Sequence, residues 1–424
     1  MLSSNPSVLP SPAATPRRWH HFSKKFVTLV ALSWGLCAFF PIGVMYLNLL
    51  LLLIGFALAP DLMTRLRGLR QQAASPPIVL MLVWVLIAVV VGDWYPDTAT
   101  RLFHTFRVAL VLFVGLMLTS LEARAALAGF LVSAVFAAFI VTVHHVFGMP
   151  DWAIWNGLLS SRNNFSSGNM ITLATASCIY FYLGIRKSAL RGDKWLFLAA
   201  ALALGATVAL HAVSRNSQLL LVVLVLAAVI YRFRSLRATL GGLAAVLVLA
   251  TAMWQFSPTT QNRFVDMASN LEAAELESNY ATSVGVRWRM YQEAVQGMAD
   301  HPLFGTGLGS WLPHWRSVWL ALEEHLPPVA RHRFSEINNP HNDFLLTGME
   351  TGVIGLIILV WLLASFIRTG WRQRSAAGGI TVVMGVSIFT TALVNAPFRD
   401  AALGMTLLWL LAVSVAAHAE ARNE

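Results

Sequence analysis

The chain has 424 residues, of which 57% are hydrophobic and only 12% charged, whereas a soluble globular domain carries about 25% charged residues. So much apolar surface does not fit inside one soluble core, and lipid must solvate a large part of it. The net charge of +10 does not point to nucleic acid as a partner, because the basic residues stand between apolar runs rather than in one patch.

Residues 1–25 are rich in Ser and Pro and then basic, and read as a disordered cytoplasmic tail. The apolar run that follows is too long for a signal-peptide core and no cleavage site comes after it, so it is expected to be retained. About 20 apolar residues span the hydrocarbon core as a helix. On that measure twelve segments are expected to cross: Phe26–Phe40 and Ile42–Ala59, hinged at Pro41, then Ile78–Gly92, Leu102–Thr119, Ala125–Phe147, Phe165–Ile185, Trp195–Val213, Ser217–Tyr231, Ala238–Phe256, Asp343–Ile367, Gly378–Ala396 and Ala401–His418. The expected fold is an all-α integral membrane protein. Nine helices occupy residues 26–256 and three occupy 343–418, with a short cytoplasmic tail at 419–424.

Charge sets the orientation. With a cytoplasmic N-terminus, 19 of the 30 basic residues fall in short cytoplasmic segments, as the positive-inside rule requires. All four lysines are among them. The other eleven are arginines: Arg101, Arg107, Arg162, Arg215, Arg263, Arg287, Arg289, Arg316, Arg331, Arg333 and Arg399. A guanidinium fork binds phosphate in a bidentate way, although a chain with 26 Arg and 4 Lys would place arginine there in any case. Cys37 and Cys178 lie in apolar runs and read as small packed residues. Neither CxxC nor HExxH occurs, and no metal or other cofactor is expected.

Residues 257–342 form the one long loop, on the periplasmic side, and loops of this length are usually functional or disordered. Helices are expected at Phe264–Glu277 and Val284–Asp300. In the second, Val284, Trp288, Tyr291 and Val295 recur at helical spacing and mark a buried face. The run Gly305-Thr306-Gly307-Leu308-Gly309 reads as a tight structural turn in preference to a phosphate loop. Asn339 is a candidate N-cap for the next helix, with Pro340 in its first turn. That sets His341 at a positive helix end, where imidazole stays neutral. A structural histidine and a proton acceptor are both compatible with this placement. On the same helix, Gly348, Gly352 and Gly355 offer a close approach to a neighbouring helix. Glu350 is either functional or held in an interhelical hydrogen bond.

Arg287…Tyr291…His301-Pro302-Leu303-Phe304-Gly305 followed by His341-Asn342…Gly352…Gly355 resembles the O-antigen ligase and polymerase superfamily. So do Ser161-Arg162-Asn163-Asn164-Phe165 and Ser214-Arg215-Asn216-Ser217. The resemblance covers about residues 155–365 and implies a GT-C-like glycosyltransferase architecture. One large outer loop resembles the ligases more than the polymerases. The chain as given ends six residues past its last expected span, without the soluble domain that protein-glycosylating members carry.

Such a ligase implies two partners, an undecaprenyl-diphosphate-linked O-antigen as donor and lipid A–core as acceptor. It also implies an inner-membrane location with a periplasmic site. The resemblance assigns catalysis to His341, Arg215 and Arg287, and substrate binding to Arg162, Arg263, Arg289 and Asn342. The competing class is a lipid or solute transporter, but no internal repeat is evident and the charges gather at one edge rather than at the midplane.

Overall fold

The computed structural model describes residues 17–148, 161–184, 191–211, 214–256, 261, 265–266, 268–273, 280, 282–323, 334–373 and 375–417. Among these the regular structure is helical. The helices are α1 (Arg17–Leu36), α2 (Ile42–Ala57), α3 (Leu62–Leu69), α4 (Ser75–Val91), α5 (Thr98–Leu116), α6 (Ser120–Phe147), α7 (Ser161–Gly184), α8 (Arg191–His211), α9 (Arg215–Phe233), α10 (Leu236–Phe256), α11 (Ser283–Asp300), α12 (Trp311–Glu323), α13 (Asp343–Arg372), α14 (Ala376–Val394) and α15 (Ala401–Ala416). Each of the twelve apolar segments read from the sequence holds one of these helices. Among the described residues, five are long and apolar enough to cross a membrane, or six if α2 and α3, bent by 112°, count as one broken span.

The final helix is the axis of the bundle. Every described residue from Leu403 to Ala417 is buried, as expected for a helix that is apolar all round. It packs against α5, α6, α7 and α14, and Trp409 stacks on Trp34 of α1 with ring centroids 4.5 Å apart.

At one end, turns are fixed by buried arginine and tyrosine. Arg65 of α3 grips Glu122 through two bonds of 2.7 and 2.9 Å and donates to the Met117 carbonyl at 2.9 Å. Glu122 and Thr119 together form a capping box at the start of α6, which satisfies two orphan N–H groups at that end. The Tyr231 hydroxyl, at the end of α9, carries one proton into a cluster of three carbonyls, those of Gly370 and Ser375 at 3.2 Å each and that of Gln373. Arg234 lies over the rings of Tyr231 and Trp371.

A second, smaller core stands at the opposite end. Val286, Met290 and Ala294 of α11, Trp311, Trp315 and Trp319 of α12, and Leu346 and Met349 of α13 form it. The tryptophans recur every four residues and stack in series, with centroids 5.8 and 5.6 Å apart. α11 is found within one residue of its expected bounds, but it buries a different face. Trp288 and Val295 are exposed, while Gly285, Val286, Met290, Ala294 and Gly297 are buried. Small residues decide this, because a Cβ at Gly297 would lie 3.0 Å from Met349. Only that stripe lets the two helices approach so closely. Of the expected Phe264–Glu277 helix, residues 265–266 and 268–273 are helical, and the rest lie outside the described residues.

Candidate active site

α13 is broken near its start. Gly352 adopts φ 71° inside the helix, a left-handed conformation that favours glycine. The gap is filled by the loop between α11 and α12. Val353 N–H donates to the Pro302 carbonyl at 2.8 Å, and Thr306 N–H to the Met349 carbonyl at 2.7 Å. A Cβ at Gly352 would stand 2.1 Å from the Leu303 oxygen. Gly352 was expected to admit a neighbouring helix and admits this loop instead. The Gly305–Gly309 run is a structural turn, with φ values of 73°, 102° and 89° at its glycines. The turn is clamped from the α4–α5 side by Tyr95 O–H on Thr306 O at 3.1 Å and Thr98 O–H on Leu308 O at 2.6 Å, and Trp84 Nε1–H bonds Thr351 O of α13 at 2.9 Å.

The first nine residues of α13 thus belong with the smaller core of α11 and α12, which caps this end of the bundle, and His341 precedes them. The helix is capped by Asn342, not Asn339. The Asn342 Oδ1 accepts from Leu345 N–H at 3.0 Å, and its Nδ2 donates to the Leu393 carbonyl at 3.0 Å. Asn339 instead accepts from His341 N–H at 2.9 Å, one residue before the cap. This turn holds His341 at φ 53°, a conformation rare for residues other than glycine, though less so for histidine. The left-handed turn swings the imidazole away from the helix. Its Nδ1 lies 3.3 Å from Asn395 Oδ1. An amide oxygen accepts only, so Nδ1 carries the proton and Nε2 is left as the basic nitrogen.

Asn395 was not read from the sequence, and it ends α14 within a well-braced turn. Asp343 Oδ2 accepts from Phe398 N–H at 2.8 Å, and Arg107 donates to the carbonyls of Phe398 and Arg399 at 3.1 and 3.3 Å. Glu350, fully buried, pairs with Arg399 at 2.6 Å and Arg101 at 3.2 Å. Of the two roles the sequence left open for Glu350, it fills the structural one. It ties α5, α13 and the α14–α15 turn together.

The structure brings Arg287, Tyr291 and Asn342 to the histidine. Burial first, then the positive charge of Arg287, lowers the His341 pKa from its usual value, while the Asn395 contact opposes the shift. Tyr291 reaches Asn342 with its hydroxyl and also feels Arg287. Arg287 itself is exposed and forms no ion pair with any described residue. Arg289 differs, since Glu293 holds it at 2.6 Å and its positive charge is already answered. Glu293 also binds His314 at 2.9 Å. That hydrogen bond, ahead of the Arg289 charge, holds its carboxyl below the usual range.

Arg162 and Arg215 stand in the first turns of α7 and α9, their side chains outside the described residues, as is the whole of Arg263. Backbone placement still locates the two helix starts. Tyr231 joins the end of α9 to the start of α14, and the two helices pack together. They therefore run antiparallel, and Arg215 lies at the end of the bundle that carries Asn395 and His341. Ser217 and Asn216 of α9 both donate to Asn169 Oδ1 of α7, at 3.0 and 3.1 Å. Tyr180 of α7 reaches Ala228 of α9 one helical stretch further on. The pair is parallel and in register, and Arg162 begins its helix at the same end.

A basic nitrogen on an oriented, neutral imidazole beside a guanidinium that pairs with no described carboxylate can take a proton from a hydroxyl while it stabilises a departing anion. Residues 200–360 match the family model described as O-antigen ligase. No curated protein matches the chain.

Proposed function

From the O-antigen ligase domain that this chain carries over residues 200–360, we propose that the protein transfers an O-antigen glycan from undecaprenyl diphosphate to a sugar hydroxyl of lipid A–core. The site lies on the periplasmic face of the bacterial inner membrane. The chain crosses twelve times with both termini in the cytoplasm, and residues 257–342 form the periplasmic cap. Charge asymmetry supports this orientation, because short loops at the Arg65 and Arg234 end hold most of the basic residues.

The observation that carries the reading is the pairing of His341 with Arg287. In the reaction, His341 Nε2 removes the acceptor hydroxyl's proton as its oxygen attacks the anomeric carbon. The bond from that carbon to the diphosphate breaks, with inversion, and charge grows on the leaving oxygen. Arg287 and Arg215 meet that charge through bidentate contacts, with Arg162 and Arg263 further along the diphosphate or glycan. The leaving group is already an activated diphosphate, so the displacement proceeds without ATP and needs no metal to polarise it. Asn342 serves by holding the Leu393–Asn395 turn under the imidazole. Arg289 serves the cap.

The test is reconstitution of the full-length chain with undecaprenyl-diphosphate glycan and rough lipopolysaccharide, without ATP or metal. A ladder of smooth lipopolysaccharide is expected. Lengthening of the lipid-linked glycan when no lipopolysaccharide is present would make the chain a polymerase. Movement of the donor across a proteoliposome bilayer, with no transfer, would make it a transporter.

A further inference from the structure

Beside the break in α13 lies an open cavity of about 530 Å³, walled by the end of α4, the loop before α12 and Met349. Pockets of roughly 300–1,000 Å³ hold small ligands. The turn of three glycines built against α13 forms one of its walls. Its lining is polar and mixed, with Asp93, Tyr95, His301, Thr306, Ser310 and His314. Among its lining residues there is no Arg or Lys.

The available groups are arranged in a particular way. The Asp93 carboxylate and the His301 ring are exposed and make no bond to any described residue. Tyr95 donates its proton to Thr306 O, so its phenolic oxygen faces a ligand as an acceptor. The hydroxyls of Thr306 and Ser310 share one hydrogen bond of 2.6 Å. His314 is braced from behind by Glu293 at 2.9 Å. Phe304, stacked on Trp84 at 5.4 Å, adds an aromatic surface to the wall. The Thr306 hydroxyl donates to the Met349 carbonyl at 3.0 Å, so Tyr95, Thr306, Ser310 and Asp93 offer acceptors to the hydroxyl groups of a ligand, beside the His301 ring and one aromatic face. The carboxylate, with no guanidinium to answer it, disfavours a phosphate. This is the reverse of the chemistry at Arg287 and His341.

We propose that this cavity is a saccharide subsite, which holds the hydroxyl groups of an uncharged sugar of a glycan whose other end reaches His341. Met349 lies six residues beyond Asp343, where α13 starts just after His341, on the order of 9 Å along the helix, a span within the length of an oligosaccharide. The inference rests on the transfer reading above. The sugar belongs either to the acceptor core or to the donor glycan.

Binding is measured without turnover. The full-length chain in lipid nanodiscs is titrated by calorimetry with core oligosaccharide released by mild acid from rough lipopolysaccharide, and separately with O-glycan released by mild acid from its lipid diphosphate. One of the two is expected to bind and so to name the source. Asp93→Ala with His314→Ala should weaken it at least tenfold. His301→Gln, at an exposed side chain with no described partner, should weaken it several-fold without moving the melting temperature. Arg287→Ala should leave saccharide binding as it was while reducing that of inorganic diphosphate. If neither saccharide binds the unaltered chain, or if the variants bind as well as it does, the subsite is refuted. Saccharide binding that needs Asp93, in a chain that fails the transfer assay, would keep the subsite and refute the ligase.

Discussion

Arg65 and Arg287 stand at opposite ends of the bundle in opposite electrostatic circumstances. Arg65 is buried and bidentate on Glu122, so its charge is consumed in holding α3 against α6. Arg287 is exposed beside His341 and pairs with no described carboxylate. Arg101 and Arg399 sit near His341 yet behave like Arg65, because Glu350 holds both. Proximity to the histidine therefore does not identify a substrate-binding arginine. The distinguishing property is a charge that no described carboxylate compensates.

The largest expected effect falls on His341. His341→Gly should fold normally, since glycine favours the left-handed turn at φ 53°, while transfer falls by on the order of 10²–10⁴-fold. A variant that melts normally and transfers at the original rate would remove the base role. Next comes Glu350→Ala, which leaves the buried Arg101 and the half-buried Arg399 without their carboxylate. Breaking a buried pair costs about 3–5 kcal/mol, so the melting temperature should drop and activity should follow the folded fraction. Unchanged melting with lost turnover would move Glu350 from the scaffold into the chemistry.

Arg287→Ala should cost roughly 10²–10³-fold in turnover at an unchanged melting temperature, and lysine should restore only part of it. The pH profile sharpens this. The base works when deprotonated, so the rate rises with pH through the His341 pKa, which lies below 6.5, and is flat above it. Arg287→Gln removes a like charge, so the inflection should move upward. An inflection that stays in place would mean that Arg287 does not act on the histidine. The smallest effect is expected at Arg289, already paired with Glu293. Arg289→Ala should change turnover by less than about threefold, on the scale of an isolated partly exposed ion pair.

Apolar run length, a local property, placed the helices of the bundle, and helical spacing set α11 to within a residue. The face of α11 was misjudged because Trp288 and Val295 satisfy helical spacing as well as Met290 and Ala294 do. Only the approach of Met349 to Gly297 separates the two stripes. His341, Asn342 and Arg287 were legible through their motifs. Asn395 was not, since it ends an ordinary apolar helix 54 residues beyond His341 and gains its role only when the α14–α15 turn is folded back. Glu350 drew notice as a charge in an apolar run, but its partners on α5 and the α14–α15 turn are long-range contacts that carry no periodic signal.

The break at Gly352 also divides α13 by length and by charge. α13 has 30 residues, a length on the order of 45 Å, which overshoots a hydrocarbon core of about 30 Å. Counted from the break, residues 353–372 number 20 and measure about 30 Å, which matches the core. Within that stretch the charged residues are Arg368 and Arg372, both at the far end. Asp343 and Glu350 lie above the break. Their carboxylates stay outside the apolar stretch and are held by the α14–α15 turn, Asp343 through Phe398 N–H and Glu350 through Arg399.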